Sequence, residues 1–127
     1  MGLFSSLMGN ISEVSASEAQ QELSPILIPG ETVAKAFHLF RDQVILTTHR
    51  VITIDKQGVT GGKQAVISIP YKSIKKFSKE SAGLFDLDAE LQIWITGEPE
   101  PLKWQFSKGV NINEVYSLLS QYVLAGH

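Results

Sequence analysis

From Val33 onward the chain is a close succession of short β-rich runs, and that rhythm constrains its fold more than any other feature. The runs read VAKAFHLF, DQVILTT, RVITIDKQ, KQAVISI and SIKKFS, with breaks at Arg41-Asp42, Thr48-His49, Gly58 to Gly62 and Pro70. Parallel neighbours need crossover connections of about a dozen residues or more. These breaks are too short for that, so consecutive runs must pair as an antiparallel meander.

In DLDAELQIWITG, Leu87, Ala89, Leu91, Ile93 and Ile95 fall on one face, and Asp86, Asp88, Glu90, Gln92, Trp94 and Thr96 on the other. Such strict alternation marks a strand buried on one side. After GEPEP the chain returns as LKWQFSK, in which Leu102, Trp104 and Phe106 alternate with polar residues. Pairing Ile95 with Trp104 and Ile93 with Phe106 unites the apolar sets, whereas a slip of one residue would oppose them.

The period then changes. Asn111 followed by Glu114 suits a helix start, and Ile112, Val115, Leu118, Leu119, Tyr122 and Val123 form a 3.6-residue stripe before Gly126. That stripe needs an apolar surface to cover. Near the other terminus, SASEAQQEL predicts a helix capped by Ser15 and Glu18 and stopped by Pro25. Leu3, Phe4, Leu7, Met8 and Ile11 recur at helical spacing as well, so residues 1–28 are expected to form an N-terminal helical segment ahead of a domain over 29–127.

A length of 127 residues suits a single core. With 43% hydrophobic and 19% charged residues the chain is expected to fold as a globular protein. A net charge of −2 gives no general pull toward nucleic acid, which is not expected as a partner. Without cysteine there is no disulfide, thiolate metal site or thiol nucleophile. MGLFSSLMGN lacks a basic flank and a long apolar core, so the protein is expected to be cytoplasmic.

At this point the chain resembles the bacterial pleckstrin-homology-like domain family. The residues that carry the likeness are Leu46 to Ile52 across a hairpin, Asp55 to Gly58 before a glycine turn, Ser68-Ile69-Pro70-Tyr71 with Ile74, and Asp86-Leu87-Asp88 with Glu90-Leu91. The resemblance spans about Pro29 to Leu124. It implies a mainly β fold of about seven antiparallel strands, forming a bent sheet or open barrel capped by one C-terminal α-helix. It also implies a self-assembling ring of identical subunits without catalytic activity or cofactor.

Motifs for chemistry are sparse. Around Gly62-Lys63 a phosphate-binding loop would need a glycine at 57 and a hydroxyl residue at 64, and both positions are glutamine. The segment joins two strands, so no helix N-terminus faces a phosphate, and Gly58, Gly61 and Gly62 read as turn residues. Asp86, Asp88 and Glu90 share a strand face but lack the wrapped loop that calcium requires. His38, His49 and His127 show no metal-ligand spacing, and no serine sits in a nucleophile elbow, so no catalytic or metal residue is nominated.

Two binding features remain. Lys72, Lys75, Lys76 and Lys79 concentrate positive charge and are the candidate contacts for an anionic partner. Trp94 lies on the polar side of its strand, and with Leu3, Phe4 and Leu7 it is the candidate oligomer interface. The leading expectation is a non-catalytic scaffold or binding module that self-assembles and can take a protein partner. A peripheral membrane or anionic-ligand module using the lysines is second, and an enzyme with an unrecognised site third. The segment Phe40-Arg41-Asp42-Gln43 is short and carries one Arg beside an Asp, unlike the basic loop with which eukaryotic pleckstrin-homology domains hold phosphoinositides.

Overall fold

A computed structural model describes residues 7–39, 42–57, 63–80 and 89–125. The elements are β1 (Leu7–Val14), α1 (Ala16–Leu23), β2 (Val33–Leu39), β3 (Asp42–Thr47), β4 (Arg50–Gln57), β5 (Lys63–Pro70), a 3-10 turn (Tyr71–Ser73), β6 (Ile74–Glu80), β7 (Ala89–Ile95), β8 (Leu102–Phe106) and α2 (Ile112–Leu124). The strands form one eight-stranded sheet in the order β5-β4-β3-β2-β1-β8-β7-β6. It has the curled, mainly β architecture expected, with α2 over its apolar face.

The additional strand is β1, where the sequence pattern predicted a helix. Leu7–Val14 runs antiparallel to β2, with Ser12 opposite His38, and parallel to β8, with Ile11 opposite Phe106. Gly9 and Asn10 are poor helix formers, and the ladder positions left open by β2 and β8 decide the conformation. Ile11 is fully buried, and its carbonyl accepts from Ser107 N at 2.9 Å. Leu3 and Phe4 lie outside the described residues.

The helix predicted next is present. Ser15 Oγ accepts from Glu18 N at 3.2 Å, satisfying one of the free donors of the first turn. Ala19 and Leu23 pack with Val33, Ala36, Ile45, Ile52 and Ile54, so α1 covers the outer side of β2, β3 and β4. This second apolar cluster explains why Val44, Ile45, Leu46 and Thr47 are all buried in succession: a strand covered on both faces loses its alternation.

The β7–β8 pair unites the expected faces with a different register. Leu91 lies opposite Trp104, Ile93 opposite Leu102 and Ala89 opposite Phe106, while Ile95 pairs with Ile74 of β6. Apolar pattern fixes only which residues share a face, and shifts by an even number preserve it. The connection decides the rest. Thr96 N donates to Ser73 O at 2.8 Å and Glu98 N to Ile95 O at 3.0 Å. Gly97 supplies φ 90°, which the left-handed turn requires.

The main core joins Ile11, Phe37, Leu46, Val51, Leu91, Ile93, Trp104 and Phe106 with Val115 and Leu119 of α2. Asn111 Oδ1 caps α2 by accepting from Glu114 N at 3.2 Å. Tyr122 stacks on Tyr71 with ring centroids 5.0 Å apart, and Tyr116 meets Phe77 at 5.2 Å. On the opposite flank the Lys35 ammonium lies 2.9 Å from Glu13 and 2.6 Å from Glu114. Burial pushes the Lys35 pKa down, but the hydrogen bonds to Glu114 and Glu13 outweigh this and raise it.

Leu119→Ala is expected to cost about 3 kcal/mol through lost apolar burial and the cavity left behind, read as a lower urea midpoint. Leu124→Ala, at a side chain 72% exposed, should leave the midpoint unchanged. Equal losses from both would mean that the inward stripe does not hold α2 in place.

Candidate functional site

The densest polar construction surrounds the β3–β4 turn, Thr47-Thr48-His49-Arg50. Glu31, on the connection between α1 and β2, has a side chain with no solvent exposure, and Arg50 Nε approaches its Oε2 at 2.8 Å. Arg50 Nη2 donates to Glu31 Oε1 at 2.9 Å, making the pair two-pronged, and also to Ile26 O at 2.8 Å. Thr47 Oγ1 donates to Glu31 Oε2 at 2.6 Å, and Ile28 N to Oε1 at 3.1 Å. Every oxygen of the buried carboxylate is thus met by donors, as burial of a charge requires.

The turn is organised by the same groups. Thr47 Oγ1 accepts from the backbone N–H of His49 and of Arg50, each at 3.0 Å. Thr47 O accepts from the buried Tyr71 hydroxyl at 2.6 Å. Arg50 Nη1 reaches Ser68 Oγ on β5 at 2.9 Å. Gln20 of α1 completes the assembly, its Oε1 accepting from Val33 N at 2.6 Å.

Burial raises the Glu31 pKa, but the hydrogen bonds from Arg50, Thr47 and Ile28, with the charge of Arg50, reverse that effect and set it at about 2. Burial, reinforced by Tyr122 and Glu31, pushes the Tyr71 hydroxyl well above its ordinary value. It therefore remains a donor to Thr47 O at all ordinary pH.

None of these roles was visible in the linear sequence, where Thr48-His49 read as a break and Arg50 as a strand start. Glu31 lies in Pro29-Gly30-Glu31-Thr32, a segment with no chemical motif. A glutamate and an arginine separated by two strands carry no spacing signal. Glu31, Thr47 and Arg50 connect to one another, to backbone and to Ser68, so the assembly positions the turn and presents no free nucleophile or base.

Two of the four lysines stand on different faces of the sheet. Lys72 lies in the 3-10 turn, and all four are exposed. On β6, Lys76 is opposite Trp94 and Lys79 opposite the buried Leu91. Residues directly opposite across a sheet share a face, so Lys76 stands on the outer face and Lys79 on the face toward α2. The ammonium of Lys76 lies 4.6 Å from the Trp94 ring centroid and that of Lys79 5.9 Å from Tyr116.

Trp94 is half-buried beneath Lys76, a cation–π contact of about 0.5–1 kcal/mol at an exposed site. The Leu7 backbone pairs with Trp104 in β1. Gly58 to Gly62, Arg41, Asp86, Asp88 and His127 lie outside the described residues. Glu90 accepts from Gln92 Nε2 at 2.8 Å. His38 is an exposed residue of β2, and His49 occupies the turn. Among the described residues no three metal-ligating side chains converge, and no helix is long and apolar enough to cross a membrane.

A model of the bacterial PH domain matches residues 2–123. Uncharacterized protein YjqA of Bacillus subtilis (strain 168) is 48% identical over 121 residues, covering 94% of this chain and 97% of its own. A crystal structure of a DUF1696 family protein with a pleckstrin-homology domain from Shewanella loihica PV-4 superposes with TM-score 0.83 at 42% identity, covering 91% of this chain and 99% of that one. The pleckstrin homology domain from Shewanella amazonensis SB2B gives TM-score 0.69 at 45% identity, covering 91% and 94%.

Removing one partner of a buried ion pair strands the other charge, so Arg50→Met and Glu31→Gln should each cost about 3 kcal/mol in urea unfolding. The folded pKa of Glu31 lies below its ordinary 4.5, so its contribution is present above that pH and lost as pH falls toward about 2. Wild-type stability should drop across that window more than Glu31→Gln stability does. Parallel curves would mean that Glu31 does not carry the acid sensitivity.

Proposed function

The chain belongs to the bacterial PH domain family, and on that premise we propose that it is a non-catalytic binding and scaffold module that assembles with copies of itself into a closed ring in the cytoplasm. The observation that carries this reading is that the sheet is open, ending in β5 on one side and β6 on the other; the β5 edge is the one assigned to assembly. β5 ends the strand order and, among the described residues, pairs only with β4. Its second side therefore offers backbone donors and acceptors to another chain. Lys63 and Pro70 close the two ends of this edge, leaving the middle for pairing.

The surroundings of the edge support association. Val66 of β5 is 44% exposed and Ile26 43% exposed. Arg50 bonds both the Ile26 carbonyl and Ser68, which lies two residues beyond Val66 on β5. A single edge meeting a different surface on the next subunit makes a head-to-tail contact, and such contacts close into rings when the rotation allows. Trp94, Leu3, Phe4 and Leu7 are assigned interface roles in this reading.

The alternative use of the lysines against an anionic membrane is less well supported. A flat bilayer meets one face of a sheet at a time, whereas Lys76 and Lys79 stand on opposite faces.

Light scattering on the purified protein should give a mass several times the 14.0 kDa of one chain. Trp94→Ala should lower that mass without altering the circular dichroism spectrum. A single-chain mass at every concentration would overturn the ring reading. Sedimentation with phosphatidylserine vesicles, lost when all four lysines become Glu, would replace it with the membrane reading.

A further inference from the structure

Beside the β3–β4 turn lies an open depression of about 420 Å³ lined by Thr48, His49, Pro70, Tyr71 and Lys72. Its size falls within the range of small-molecule sites. We propose that it binds a small organic anion, with an apolar body against Pro70 and Tyr71 and an oxyanion between Lys72 and His49. This site meets the β5 edge only at Pro70, its closed end, and does not depend on ring assembly.

The chemistry of the lining is one-sided. Tyr71 is buried, its hydroxyl is committed to Thr47 O, and its ring is stacked on Tyr122, so it offers the depression a fixed apolar wall. Pro70 has no N–H to satisfy. None of the described lining residues is acidic. Among the described residues no carboxylate pairs with Lys72, whereas Lys35 and Arg50 are both paired.

The imidazole is anchored through Nδ1. Thr48 Oγ1 accepts from Thr32 N at 3.1 Å and lies 2.7 Å from His49 Nδ1. When the Thr48 hydroxyl donates to Nδ1 the ring carries its own proton on Nε2, as the imidazolium also does. No described group bonds Nε2. The depression therefore presents an ammonium and a ring nitrogen, neither bonded among the described residues, on a turn whose backbone is fixed by Thr47 and the buried Glu31. An oxyanion supplies the missing acceptors, and charge-assisted hydrogen bonds are the stronger kind.

Four probes separate the two halves of the claim: phenyl phosphate and benzoate carry both charge and apolar body, phenol lacks the charge, and inorganic phosphate lacks the body. Calorimetric titration of the full chain should show saturable binding of phenyl phosphate or benzoate. Phenol and inorganic phosphate should each bind at least ~10-fold more weakly, the effect of about 1.4 kcal/mol. Lys72→Met and His49→Gln should each weaken the organic anion by about 10-fold, as loss of a charge-assisted bond does. Lys79→Met should leave it unchanged.

Saturation-transfer difference spectra of the unmodified protein should show the probe's ring protons receiving magnetisation, a readout independent of the variants. No saturable binding of either organic anion would overturn the proposal. So would binding that is indifferent to Lys72→Met and His49→Gln, or inorganic phosphate binding as tightly as phenyl phosphate. Changed ring mass with intact anion binding would bear on the assembly reading alone.

Discussion

A carboxylate removed from water must be met by donors on all sides, and the position of Glu31 rests on that requirement. Its partners come from separate parts of the chain: the Ile28 amide from the connection after α1, Thr47 from β3 and Arg50 from β4. Satisfying one charge therefore fixes the spatial relation of three segments. The constraint extends further. Thr47 also receives the Tyr71 hydroxyl, and Tyr71 stacks on Tyr122 of α2. One continuous set of contacts thus runs from the outer helix, through the buried ion pair, to the helix on the opposite side of the sheet. An apolar replacement of such a pair can be as stable; what the ion pair adds is direction, because a two-pronged guanidinium accepts few geometries.

Much of this architecture is legible in the residues. The alternation in β7 marked Ala89, Leu91, Ile93 and Ile95 as the inner set, and all four are buried. Asn111 and the apolar stripe located α2 and its inward side. What failed shares a cause. Apolar pattern fixes face but not register, so Trp104 was matched to Ile95 instead of Leu91. Period is ambiguous over a few residues, so Leu7 and Ile11 read as helical although the ladder between β2 and β8 makes them strand. The Glu31–Arg50 pair joins residues remote in sequence, and neither residue type at either place signals the other.

The lysine run illustrates the same gap at the level of function. Four lysines within eight positions read as a patch, but a strand turns successive side chains to opposite faces. Lys76 lies over Trp94 and Lys79 beside Tyr116. Charge density along a sequence is a poor guide to charge density on a surface when the intervening element is a strand. Lys72, which the 3-10 turn carries out of that alternation, has no carboxylate partner among the described residues.

β1 has one further implication. It is the strand through which the two halves of the sheet are joined, lying between β2 and β8, and it runs parallel to β8 with Leu7 opposite Trp104. Pairing of residues so distant along the chain slows folding. During synthesis the first of the described strands must wait for the last of them before its second ladder can form. Until then the nascent protein holds a half-closed sheet with Ile11 short of its final neighbours, and that interval is when a chaperone or a wrong partner has access to its interior.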